Sequence, residues 1–176
     1  LRHDANGRRI AQLSREGYLT EFAYDAVGNE IERREFDGRY TLASDGSIPA
    51  PRSGDTPRVT VSRYNTLNQM ESQTDATGLT TWFEYDAAGN LQHTLHSTGS
   101  APLAGSSGVA LAPATKTGMG STAYDKNNRV VSTTDALGVV TQLVLDAKGR
   151  ISQRVEAAGT AGQRITEYTY DALDRV

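Results

Sequence analysis

The feature that most constrains this chain is a short phrase, Tyr-Asp-x-x-Gly, which recurs along it and is followed shortly by an apolar residue. Clear copies occupy residues 24–28 and 85–89, and a copy with leucine in place of tyrosine occupies 145–149. Degenerate copies lie at 3–7, 64–68, 124–128 and 170–174. Regular internal repetition is the signature of a repeat architecture, in which each unit leans on its neighbours.

The spacing between copies has its own order. Asp4 to Asp25, Asn65 to Asp86 and Asp125 to Asp146 are each 21 residues apart, while Asp25 to Asp86 is 61 and Asp86 to Asp146 is 60. A second turn phrase lies between the paired copies, at 14–17, 75–78 and 135–138. The sequence therefore predicts one repeat segment over 1–176, built of about three 60-residue double-turn units. Because its ends fall inside or just after a copy, we expect it to be a fragment of a longer chain.

The phrase has the residue preferences of a tight turn. Aspartate at the first position accepts backbone hydrogen bonds, and glycine at the fourth adopts the positive φ that lets a hairpin leave through a bulge. Asn68 and Asn128 take the fourth position in two copies, and Asp174 is a weaker substitute. The structural turn residues assigned in this way are Tyr24, Asp25, Gly28, Tyr85, Asp86, Gly89, Asp146, Gly149, Tyr170 and Asp171.

The segments between turns alternate apolar and polar residues, as half-buried strands do. Tyr18, Thr20, Phe22 and Tyr24 share one face of such a segment. We predict an all-β fold, an antiparallel β-hairpin repeat array that forms a curved sheet, with all Tyr-Asp turns on one edge. About twelve strands are expected, at 8–13, 18–24, 29–36, 58–64, 69–74, 79–85, 90–96, 121–124, 129–134, 139–145, 150–156 and 164–170. Ile10 and Ile31 follow their turns one residue late, which suggests a local bulge in those two copies.

Long connections rich in glycine, serine, proline and alanine interrupt the array at 37–57 and 97–120, with a shorter one at 157–163. All three fall on the edge opposite the Tyr-Asp turns. Loops of this length are functional or mobile in many proteins. Simple tolerance of insertions at that edge is favoured over three binding loops.

Several functional classes find little support in the composition. The chain has no cysteine, so disulfides, thiolate metal sites and cysteine nucleophiles are excluded. Its net charge of -3, without a basic stripe, disfavours nucleic acid, and no apolar run is long enough for a membrane span. His93 and His96 would point to opposite faces of a strand, so we expect no metal there. We assign no catalytic, cofactor-binding or metal-binding residue and expect no cofactor.

The recurrent tyrosines allow two interpretations. A row of Tyr24, Tyr64, Tyr85, Tyr124 and Tyr170 resembles a platform on which sugars or bases stack. Packing of each ring, with its hydroxyl reaching a backbone group at the edge of the sheet, is more ordinary. We favour the packing role.

Residues 85–91, Tyr-Asp-Ala-Ala-Gly-Asn-Leu, and residues 134–141, Thr-Asp-Ala-Leu-Gly-Val-Val-Thr, closely resemble the YD or Rhs repeat. That family includes bacterial Rhs polymorphic toxins, the C components of Tc toxins and the teneurins. The resemblance implies a segment of a hollow β-shell that encapsulates a C-terminal toxin or effector domain. The family's Asp-Pro-x-Gly autocleavage motif is absent from this sequence, so the resemblance assigns no catalytic residue and we expect no enzyme.

The same resemblance implies where the protein acts and with what. The partners would be the rest of its own shell, the enclosed toxin domain and secretion-system components. The protein would be secreted or placed on the bacterial surface by a secretion system such as type VI, in competition between bacteria. The alternative function is a cell-surface adhesion or carbohydrate-binding module, whose partners would be glycans.

Overall fold

A computed structural model describes residues 1–98 and 117–176, and within them the fold is built of β-strands and turns without helix. The strands lie side by side in chain order in one sheet. They are β1 (Arg2–His3), β2 (Arg9–Leu13), β3 (Tyr18–Tyr24), β4 (Glu30–Arg39), β5 (Arg58–Tyr64), β6 (Met70–Thr74), β7 (Leu79–Tyr85), β8 (Leu91–Thr98), β9 (Thr117–Tyr124), β10 (Val130–Asp135), β11 (Val140–Leu145), β12 (Ile151–Glu156) and β13 (Arg164–Glu167). The predicted all-β array of antiparallel hairpins is confirmed.

The described residues form two compact units. One contains Leu1–Thr81 together with residues 97–98, and the other contains Trp82–His96 and residues 117–176. Within the first unit β1 to β6 pair antiparallel with their chain neighbours, and within the second β8 to β13 do the same. None of the described residues belongs to a helix that is long and apolar enough to cross a membrane.

A shift of register accompanies the Tyr-Asp turns. It lies between Ala23 and Tyr24 in one hairpin, and between Arg63 and Tyr64 in another. In that second hairpin the apolar residue after the turn, Met70, follows without the one-residue delay. The same shift occurs between Val144 and Leu145. The bulge that we expected in the Ile10 and Ile31 copies is present, between Arg2 and His3 and between Ala23 and Tyr24, but other copies have it as well. Every one of these turns absorbs an extra residue, and in those two copies a charged residue simply takes the first position of the strand.

Several predicted boundaries also differ from the structure. A short additional strand, β1, precedes the first turn and brings the described total to thirteen. Strand β4 continues to Arg39, β8 to Thr98, and β9 begins at Thr117, so the two long connections are shorter than 37–57 and 97–120. Strand β13 ends at Glu167, short of residue 170. Residues 99–116 of the second connection lie outside the described part of the chain.

The connection between β4 and β5 supplies part of a hydrophobic core. Ala11, Leu19 and Phe36 come from strands, while Tyr40 and Ile48 come from the connection, and all five are buried in one cluster. The Tyr40 amide donates to the Gly17 carbonyl at 2.8 Å, and the Phe36 and Tyr40 rings meet edge to face. The segment is thus a folded part of the first unit, and burial of its two large side chains excludes water from that face of the sheet.

Candidate functional site

The edge of the sheet that carries the Tyr-Asp turns concentrates the polar contacts of the repeat. In each turn the first residue accepts backbone hydrogen bonds through one side-chain oxygen. Oδ1 of Asp86 accepts from the amides of Ala88 and Asn90, both at 2.9 Å. Oδ1 of Asp25 accepts from the amides of Val27, Gly28 and Asn29 at 2.8–3.0 Å. Asp146 and Asp171 make the corresponding pairs of bonds.

The fourth turn residue has left-handed backbone geometry. Its φ is +102° at Gly28, +88° at Gly89 and +85° at Gly149, and its amide donates to the carbonyl of the turn's first residue. Asn68, Asn128 and Asp174 adopt φ of 59–60° at the same position. Asparagine and aspartate tolerate this region better than other side chains, which explains their use where glycine is missing.

The fifth turn residue, which our sequence analysis did not single out, completes the site. In the turns that begin with aspartate, its side chain donates to the second carboxylate oxygen of its own turn: Asn29 to Asp25 at 2.9 Å, and Arg129 to Asp125 and Arg150 to Asp146 at 2.7 Å. Arg8 and Arg175 do the same in the first and last turns. The signal was present in the sequence, because arginine, asparagine or glutamine follows the fourth position in all seven copies.

These bonds favour the ionised carboxylates. The side-chain and backbone hydrogen bonds from Asn90 hold the pKa of Asp86 below its ordinary value. Those from Arg129 lower the pKa of Asp125, and those from the backbone and side chain of Arg175 lower the pKa of Asp171. A carboxylate that accepts several hydrogen bonds binds a proton less readily, so these groups are poor candidates for proton transfer near neutral pH.

In four turns the fifth residue also links its turn to the next one along the edge. Nη1 of Arg8 donates to the Asp25 carbonyl at 2.9 Å, and the Asn29 side chain donates to that of Asn68 at 3.2 Å. In the second unit Asn90 donates to Asn128 at 3.0 Å, and Arg150 forms an ion pair with Asp174. The turns are therefore joined to one another as well as being stabilised internally.

The tyrosines before the turns link adjacent strands. In four of them the hydroxyl donates to the carbonyl of the first residue of the preceding strand: Tyr24 to Arg9 at 2.9 Å, Tyr64 to Glu30 at 3.3 Å, Tyr124 to Leu91 at 2.9 Å and Tyr170 to Ile151 at 2.8 Å. These hydroxyls are engaged with backbone groups at the edge of the sheet. That placement matches the packing role that we favoured over a stacking platform.

The structure keeps other candidate groups apart. His93 and His96 lie on β8, and no group of three His, Cys, Asp or Glu side chains within residues 1–98 and 117–176 could hold a metal ion. The acidic residues of the Tyr-Asp turns are each close to their own turn's amides. What the arrangement can do chemically is hold one hairpin against the next.

Together these contacts define an antiparallel β-hairpin repeat protein whose neighbouring hairpins are joined along a common edge of turns. The family model described as RHS Repeat matches residues 64–101 and 124–161. These two segments match the RHS repeat, as the Tyr-Asp phrases indicated. No curated protein matches the chain.

Solved structures of Tc toxins share the fold. A Tc holotoxin pore from Photorhabdus luminescens is similar at 14% identity and a TM-score of 0.64, over 94% of this chain and 7% of that one. TcdB2-TccC3 without its hypervariable C-terminal region is similar at 16% identity and a TM-score of 0.65, over 95% of this chain and 8% of that one. TcdB2-TccC3-Cdc42 is similar at 16% identity and a TM-score of 0.64, over 96% of this chain and 8% of that one. The chain thus spans less than a tenth of each of these relatives.

Proposed function

We propose that this chain is a non-catalytic structural segment of an Rhs/YD-repeat shell that encapsulates a C-terminal toxin or effector domain for secretion. The residues from 1 to 176 would form one stretch of wall, built of double-turn units about 60 residues long, as the spacing of the turns indicates. Tyr24, Asp25, Gly28 and their counterparts would have a structural role only.

The observation that carries this proposal is that the turn carboxylates and tyrosine hydroxyls are already engaged in hydrogen bonds within the sheet. The Asp86 carboxylate is engaged by the amides of Ala88 and Asn90 and by the Asn90 side chain. The Tyr124 hydroxyl is engaged by the Leu91 carbonyl. Side chains committed to backbone groups hold a wall together and are not free to bind a substrate.

The Tc toxin structures that share this fold support the same proposal. TcdB2 and TccC3 occur together in two of the similar structures, one of which lacks a hypervariable C-terminal region. By analogy, the partners of this chain would be the rest of its own shell, an enclosed toxin domain and components of a secretion system. Its location would be outside the producing cell or on the bacterial surface, and delivery by a type VI system in bacterial competition is one route.

Protease protection in the full-length protein tests the proposal. A cleavage site for a specific protease is placed in the domain that follows the repeats, and cutting is followed in the native protein and after denaturation. We expect slow cutting in the native protein and fast cutting after denaturation. An Asp86→Ala, Asp125→Ala double variant, with two weakened wall turns, should be cut faster than the native protein. Equal cutting of native and denatured protein would show that nothing is enclosed.

One observation favours the carbohydrate-binding alternative. The Tyr18 side chain is 43% exposed, and the Arg39 guanidinium lies 5.8 Å from the centroid of its ring. An accessible aromatic face beside a cation is suited to stacking and hydrogen bonding with a sugar. Binding to a glycan array that saturates, and that Tyr18→Ala abolishes, would support this function. An array that shows no binding at high protein concentration would rule out the carbohydrate-binding function.

A further inference from the structure

The two strands of a hairpin separate before they reach the Tyr-Asp edge. Strand β2 begins at Arg9, but its pairing with β3 begins at Ala11, and β12 begins at Ile151 while its pairing with β13 begins at Gln153. Strand β10 follows the same rule, since it begins at Val130 and pairs with β11 from Ser132. The regular strand pairing therefore stops two residues short of the edge, and at β12 one further backbone bond, from the Tyr168 amide to the Ser152 carbonyl at 2.9 Å, lies beyond it.

The tyrosine hydroxyls bridge this separation. Tyr24 donates to the carbonyl of Arg9, the first residue of β2, at 2.9 Å. Tyr170 donates in the same way to Ile151, the first residue of β12, at 2.8 Å. A side-chain bond thus holds the two strands together where the ladder of backbone bonds has ended. A backbone acceptor is satisfied at the same time.

Leucine replaces tyrosine in one copy. Leu145 ends β11 directly before the turn at Asp146, at the position that Tyr24 and Tyr170 occupy in their own copies. Its carbonyl counterpart, by the same rule, is that of Val130. A leucine side chain has no donor, so the hydroxyl bridge found in the other copies cannot form between β10 and β11.

The link between the flanking turns is also different at this place. Asn29 and Asn90 each donate to a side chain at the fourth position of the next turn. The turn that follows Arg129 has Gly149 at that position, and a Cβ built there would lie 2.6 Å from Nη1 of Arg129. The arginine lies against a residue that offers no side-chain acceptor. Both kinds of cross-hairpin bond are thus changed at the same hairpin.

We propose that the β10–β11 hairpin is a built-in weak seam, which opens from the Tyr-Asp edge before the other described hairpins of the second unit do. Leu145 is the residue that creates it. The inference depends on contacts within one unit and is independent of what the repeats enclose. In a repeat protein, where stability is a sum of neighbouring contacts, the weakest contact decides where opening starts.

Native-state hydrogen exchange of the full chain, read on peptides that cover 130–134 and 141–147, tests the seam. Leu145→Tyr should restore the bridge to the Val130 carbonyl and slow exchange there by about five- to tenfold, the effect of one hydrogen bond of ordinary strength. Leu145→Phe is the matched control, because it adds the ring without the hydroxyl and should leave most of the fast exchange in place.

The reciprocal variant, Tyr24→Leu, removes the hydroxyl bridge from a hairpin of the first unit. Tyr24→Leu should speed exchange in the peptides of β2 and β3 by about the same factor and leave 130–147 unchanged. Equal exchange in Leu145→Tyr and Leu145→Phe would overturn the proposal, as would wild-type exchange at 130–134 that is slower than at the start of β12.

Discussion

At the scale of single residues, the turn aspartate combines two tasks. In the turn at Asp86, one oxygen binds the amides of Ala88 and Asn90, and the other binds the side chain of Asn90. The natural chain shows which of these tasks needs the charge. Asn65 replaces aspartate in one copy and still accepts from the amides of Leu67 and Gln69. The acceptor oxygen is therefore the more general requirement.

Replacing Asp86 separates the acceptor from the charge. Asp86→Ala should lower the melting temperature by several degrees, because the two amides of the turn lose their side-chain acceptor. Asp86→Asn keeps an acceptor oxygen, so its melting temperature should fall much less. Asn65 already accepts the same backbone bonds in its own turn. Thermal unfolding followed by circular dichroism measures both variants. Equal losses in the two variants would show that the charge dominates.

The lowered pKa values of the turn carboxyls make stability depend on acid. Hydrogen bonds from Asn90, Arg129 and Arg175 lower the pKa of Asp86, Asp125 and Asp171, respectively. Groups of this kind contribute their full stabilisation above the unfolded value of about 4, and the contribution is lost as the pH falls through the lower folded values.

Melting temperatures measured from pH 7 to pH 2 should therefore stay level down to about pH 4 and then fall, as the turn carboxyls take up protons. Asp86→Asn should flatten the fall, because one titrating group has been removed. A melting temperature that declines mainly between pH 7 and pH 5 would assign the dependence to other groups.

At the scale of elements, the segment from residue 40 to residue 57 acts as a cover for the first unit. Tyr40 hydrogen-bonds to Asp55, and the Arg52 guanidinium lies 4.6 Å from the centroid of the Tyr40 ring. Ile48 reaches the cluster around Leu19 and Phe36. Our sequence analysis favoured an insertion that the array merely tolerates, but these contacts make this segment part of the core.

Truncating Ile48 tests that role. The side chain is 8% exposed, and Ile48→Ala should destabilise the protein by about 2–4 kcal/mol through lost burial and a residual cavity. Leu42→Ala is the control, since Leu42 belongs to the same segment but is 55% exposed and should change stability by less than about 0.5 kcal/mol. Chemical denaturation measures both. A neutral Ile48→Ala would mean that the segment is only an insertion.

Turns were predictable from the sequence because their determinants are local. The first and fourth residues of the turn, such as Asp86 and Gly89, specify its geometry within five positions. The core was not predictable in the same way, because Tyr40 and Ile48 are brought to Leu19 by a connection that has no periodic pattern. The cross-turn bond from Asn29 to Asn68 spans 39 residues. Only the strand pairing reveals that these two turns are neighbours.

At the scale of the whole molecule, the described strands follow one another in chain order, and their contacts lie between chain neighbours. Such an array has no natural stopping point, and an exposed strand invites further pairing. Strand β13 is exposed along its length. In the proposed shell the chain would form one stretch of a larger curved wall.

Electron cryo-microscopy of the full-length protein tests the shell proposal most directly, at a resolution that traces the strands. The account predicts that residues 1–176 lie within the wall of a hollow β-shell, with their Tyr-Asp turns in one row and the following domain inside. A free-standing domain with no enclosed volume, or a following domain wholly outside the repeats, would contradict it.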